Sequence, residues 1–107
     1  MEAPQDLVEI RQALVAQWGI VAASGPDDWE VLLEALTQRV GHLLLHNPNK
    51  LLTALYILDI SEKRYLQALD QPTHLDRAHD LARAILERET EKIRTRQRYG
   101  KPPDELA

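Results

Sequence analysis

Trp29, Leu33, Leu36, Val40 and Leu43 recur at intervals of four, three, four and three, the spacing that keeps one stripe of a helix turned toward a neighbouring helix. Leu32 and Leu44 lie beside the stripe and widen it. An apolar seam of this length needs a second helix lying along it, which predicts a helical bundle. Strand signals are absent from the chain. Ahead of the seam, Asp27 and Glu30 stand three residues apart and resemble a capping box, with carboxylates suited to the positive end of a helix.

The rest of the chain is punctuated in the same idiom. Leu7, Ile10, Leu14 and Trp18, with Val8 and Val15, predict a first helix over residues 5–18, ended near Gly19 by the turn formers through Ala23-Ser24-Gly25-Pro26. After the second helix, His46-Asn47-Pro48-Asn49-Lys50 reads as a stop and restart, with Asn47 capping and Pro48 in a first turn where no N–H is needed. The run LLTALYILDI, residues 51–60, is apolar nearly all round a helix, with only Thr53 and Asp59 polar. One facing partner does not cover such a helix, so the third helix is expected at the centre of the bundle or in an interface.

Ser61 heads a short fourth helix with Tyr65, Leu66 and Leu69 on one face, ended by Asp70-Gln71-Pro72. Thr73 and Asp76 then open the longest helix, from His74 to Tyr99, whose apolar positions Leu75, Ala78, Leu81, Ala82, Ile85, Leu86 and Ile93 thin out after Leu86. Its last turns are expected to project past the core, before Gly100, Pro102 and Pro103 close it. The expected fold is all-α: a single-domain bundle of about five helices with a long C-terminal helix, spanning 1–107, with flexible ends at 1–4 and 100–107.

A chain of 107 residues with 44% hydrophobic and 28% charged residues has material for one core and not for two. Without cysteine, neither a disulfide framework nor a thiolate zinc site is available, which points to a reducing compartment. The most apolar runs, Ala13–Ala23 and Leu51–Ile60, are each about half of the roughly 20 residues that cross a bilayer, so no membrane span is expected. Glu2, Asp6 and Glu9 with only Arg11 deny the N-terminus the positive head of a secretory signal, and a cytoplasmic location is expected. The net charge of −4 is uneven: residues 1–38 hold seven acids and one base, residues 39–107 ten acids and twelve bases.

Few residues suggest chemistry. His42 and His46, spaced i,i+4, share a helix face and offer two nitrogens to a metal, but no Asp or Glu lies within a turn to supply a third ligand. They read as polar edges of a helix end, and no metal or cofactor is expected. His74, Asp76, His79 and Asp80 cluster where a helix begins, and the macrodipole accounts for the acids there. Phosphate loops, nucleophile triads and nucleotide signatures are not found, so no catalytic residue is assigned and the chain is not expected to be an enzyme. Lys92, Arg94, Arg96, Arg98 and Lys101 form a run of five cations with no acid between Glu91 and Asp104. Such a surface can bind polyanion phosphates, with Tyr99 available to stack. Cations are also favoured in last helical turns, and acidic protein surface is the preferred counterpart.

The stretches HNPNKLLTALYILDISEKRYLQAL and ILERETEKIRTRQRY, between about His46 and Tyr99, resemble a family of small uncharacterised bacterial all-helical proteins. In that family an aromatic tends to follow the His-Asn pair, where this chain has Pro48 and Asn49. The resemblance implies a compact helical cytosolic protein and carries no site residue across. The shared Asp-x-Ser-Glu stretch, here Asp59 to Glu62, is explained by helix capping as well as by chemistry. Together these features predict a non-catalytic protein–protein interaction or assembly module, self-associating and most simply a homodimer. Its interface would be formed by Leu51, Leu55, Tyr56 and Leu58, because helix three and the long seam of helix two carry more apolar surface than short neighbours cover. The alternative function is a nucleic-acid-associated factor using Lys92 to Lys101.

Overall fold

The computed structural model describes residues 4–20 and 28–98, and within them the chain forms five α-helices and no strand. Helix α1 spans Pro4–Trp18. It stops because Gly19 takes φ +66°, a left-handed conformation cheap only for glycine, from which its N–H still reaches the Val15 carbonyl at 3.1 Å. No base in the last turn of α1 answers its exposed carbonyls. Arg39, from the next helix, does so instead, its Nε donating to the Trp18 carbonyl at 2.8 Å.

Helix α2 (Trp29–His46) is capped by Asp28, whose Oδ1 accepts from the Glu30 N–H at 2.8 Å. The expected cap, Asp27, lies outside the described residues. Leu33, Leu36, Val40 and Leu43 are buried as the seam predicts, with Leu32 beside them and Trp29 half-buried against the same core. Asn47 closes α2 and opens α3 (Pro48–Ile57): its N–H donates to the Leu43 carbonyl at 2.8 Å while its side chain accepts from Lys50 N–H at 3.2 Å.

Helix α3 ends three residues before its apolar run does. Ile60 N–H reaches back to the Leu55 carbonyl at 2.9 Å and Asp59 N–H to the Tyr56 carbonyl at 3.0 Å, a Schellman closure that requires Asp59 at φ +62°. Ser61 then caps α4 (Glu62–Leu69), its Oγ accepting from Arg64 N–H at 3.1 Å. The Asp59-to-Glu62 stretch is thus a stop followed by a start. Thr73 Oγ1 accepts from Asp76 N–H at 3.0 Å and opens α5 (His74–Arg98), a rod of about 37 Å at ~1.5 Å per residue.

The most extensive contact is between α2 and α5, and the other helices lean on that pair: α3 on α2, α4 on α5, and α1 on both. Two expectations are corrected here. The central helix is not α3, which buries Leu51 and Leu55 and leaves Leu52, Tyr56 and Ile57 exposed on its other flank. Nor do the last turns of α5 project freely, because α1 lies antiparallel along them, Glu9 accepting from Gln97 at 3.3 Å, and Glu89, Thr90 and Ile93 are buried. Smaller departures are Val15, Leu66 and Leu75, which are exposed rather than on core stripes. No helix among the described residues is long and apolar enough to cross a membrane.

Candidate functional site: an apolar face on helices three and four

Past the closure at Asp59 the chain turns into α4, which packs on α5, and residues of α3 and α4 together line a recess of about 330 Å³ floored by Leu55, Ile60 and Tyr65. Leu52, Tyr56 and Leu66 line it as well, all three exposed. Tyr56 stands out most, at 81% exposure, and its neighbour Ile57 is 69% exposed. Glu62 and Leu66 also line an adjoining shallower recess with Lys63 and Leu69, so apolar surface continues from α3 across α4. Of the four residues expected at an interface, only Tyr56 is exposed, and Leu55 meets the recess only as its buried floor. Leu51, Leu55 and Leu58 are buried in the protein's own core. Leu51, Leu55 and Leu58 follow one helical face at spacings of four and three, while Leu52 and Tyr56 follow another. Both faces are equally greasy in sequence, and only packing distinguishes them.

Two arginines hold this face to the rest. Arg64 of α4 reaches Asp80 of α5, with Nη2 to Oδ1 at 2.8 Å and Nη1 to Oδ2 at 3.1 Å. The guanidinium holds the Asp80 carboxyl below its ordinary range through that hydrogen bond, against the effect of burial and with help from the charges of Arg64 and Arg83. Arg88 of α5 donates through Nε to the Leu58 carbonyl at 2.8 Å and pairs with Asp59 at 3.5 Å, pinning the end of α3.

The remaining candidates are dispersed. The His42 and His46 rings lie 4.5 Å apart, tilted and exposed, and among the described residues no group of three His, Cys, Asp or Glu side chains gathers to hold a metal. The His74-to-Asp80 cluster is divided, Asp80 being engaged by Arg64 while Asp76 and His79 line an open recess with Glu30 and Glu34. Lys92, Arg94 and Arg96 are exposed, and Glu91 and Glu9 border that end of α5. The side chain of Arg98 and all of Lys101 fall outside the described residues, as does Tyr99.

One residue escaped the sequence reading altogether. Glu89 is 2% exposed, at the place where α1 crosses α5, and its Oε2 has no hydrogen-bond partner. Burial pushes its carboxyl above the usual range, opposed by Lys92, by a side-chain hydrogen bond from Trp18, and by Arg88 and Arg96. A signal for it exists: Glu89 sits four residues after Ile85 and four before Ile93, on the buried stripe itself. Against known proteins, the chain matches no family model, no curated protein and no solved structure.

Proposed function

We propose that this chain is a self-associating helical module, at work in the cytoplasm as a binding rather than a catalytic protein, whose two copies meet through the face of α3 and α4. The observation that carries the reading is Tyr56, a large aromatic left 81% exposed at the rim of an apolar recess. Exposed apolar surface gathered around a recess is characteristic of interfaces, and aromatic anchors dominate their energetics. A second copy is the occupant because one patch carries both a protruding ring and a hollow beside it, the self-complementarity that a two-fold contact needs. The rim also carries both signs of charge, Glu62 next to Lys63, so two identical faces do not confront each other as like-charged blocks.

Sedimentation velocity across the micromolar range tests this. The unmodified chain is expected to dimerise, and Tyr56→Ser combined with Leu66→Ser, both at exposed positions, is expected to sediment as a folded monomer. A chain that stays monomeric at high micromolar concentration, or a double variant that dimerises equally well, overturns the reading.

A further inference from the structure

The α1–α5 contact contains a feature that packing alone would not choose: an ionisable carboxyl, nine-tenths and more buried, with one oxygen unpartnered, in the middle of an otherwise apolar stripe. On the α1 side the stripe is Ile10, Leu14 and Trp18, all buried. On α5 Thr90 is equally buried, but its hydroxyl is satisfied by the Leu86 carbonyl at 2.7 Å. Glu89 is neighboured by Trp18, whose side chain favours the ionised carboxyl and whose backbone carbonyl is held by Arg39 at 2.8 Å. Trp18 therefore ties α1 to α2 through its backbone while its buried side chain lies beside Glu89 of α5.

We propose that α1 is a proton-controlled latch, docked on α5 most firmly when Glu89 is neutral and released from it more often when Glu89 is charged. The physical reason is the cost of an ion without full solvation. A buried carboxylate missing a hydrogen-bond partner is stabilised either by taking up a proton or by regaining water, and lifting α1 supplies the water. The surrounding charges do not remove that choice. On α5, Arg88, Lys92 and Arg96 favour the ionised form without bonding the stranded oxygen. On α1, Glu9 accepts from Gln97 and Arg11 has an interaction of its own; on α2, Arg39 is committed to the Trp18 carbonyl. Release uncovers Ile10, Leu14, Trp18 and Ile93 together, so the latch governs access to a second apolar surface, independent of the one around Tyr56.

The test follows Trp18 in a Trp29→Phe background, where it is the sole tryptophan, by acrylamide quenching and by hydrogen exchange of α1 amides between pH 4 and pH 8. Expressed as an opening equilibrium, release of α1 should rise with pH by at most about tenfold per unit, the slope of one proton, and then level off. The amides of α2 should keep their protection throughout. Glu89→Gln should hold α1 closed at every pH, and Glu89→Met, similar in length and apolar, serves if the glutamine variant loses helicity. A pH-independent opening of α1 overturns the proposal, as does an unchanged pH response in a folded Glu89 variant.

Discussion

Arg64 and Asp80 face each other in a two-pronged pair, Nη2 to Oδ1 at 2.8 Å and Nη1 to Oδ2 at 3.1 Å, with Nη2 also reaching the Asp80 backbone carbonyl at 3.4 Å. The pair joins α4 to α5 across sixteen residues of chain, and with the carboxylate mostly shielded it ranks above the ordinary surface ion pair. Arg64→Met and Asp80→Asn should each cost about 1–2 kcal/mol in urea unfolding, less than a fully buried pair because the guanidinium remains partly wet. The double variant should cost less than the sum. Since the folded Asp80 carboxyl titrates below its unfolded value, its contribution is present above the ordinary carboxylate pKa, near 4, and is lost as pH falls through the folded one. An Asp80→Asn variant that is no less stable at pH 7 would contradict this.

Glu89 has the opposite sign. Its folded carboxyl titrates above its unfolded value, so the folded state holds the extra proton and stability declines as pH rises from the unfolded pKa toward the folded one. Glu89→Gln is expected to melt higher than the parent at pH 7, with the gap closing below about pH 4, where both states of the parent are protonated. Calorimetry at the two pH values separates this from a general gain in packing, which would persist in acid.

The helix boundaries offer a third check. Asn47→Ala and Ser61→Ala each remove the acceptor for an otherwise orphaned N–H and should cost about 1 kcal/mol. At Asp59, held at φ +62°, glycine should be neutral or stabilising by up to about 1 kcal/mol despite losing the Arg88 pair, whereas valine should destabilise by more than that.

Gly41 is a buried glycine inside α2, and an added Cβ would lie 3.2 Å from His74 Nε2 and 3.5 Å from Ala78 Cβ. The His74 ring is exposed at the first residue of α5 and can swing aside, so Gly41→Ala should gain about 0.5 kcal/mol from helix propensity. Gly41→Val pushes further methyls toward Ala78 in the α2–α5 contact and should lose about 1–3 kcal/mol. Thermal melts of the two variants should therefore move in opposite directions.

Sequence alone determined most helix boundaries, though not the end of α3 at Ile57, because caps and stops are settled within a few residues. Asn47 before Pro48, Ser61 before Glu62, Thr73 before Asp76 and Gly19 after Trp18 each act on backbone groups in the adjoining turn. It also determined the α2 seam, whose period leaves one face to bury. Tertiary structure decided which apolar face of residues 51–57 goes inward. Two stripes of similar hydrophobicity compete there, and the winner is set by α2 together with Arg88, distant in sequence. The candidate site was legible only in Tyr56 for that reason, and Leu52 and Leu66 joined it only once the turn at Asp59 and the packing of α4 on α5 had brought both helices to one recess. Glu89 was marked only by its place on the stripe between Ile85 and Ile93, and the Arg64–Asp80 pair not at all, since pairing depends on what arrives from another part of the chain, and apolar residues inside is a rule that does not say which polar ones follow them.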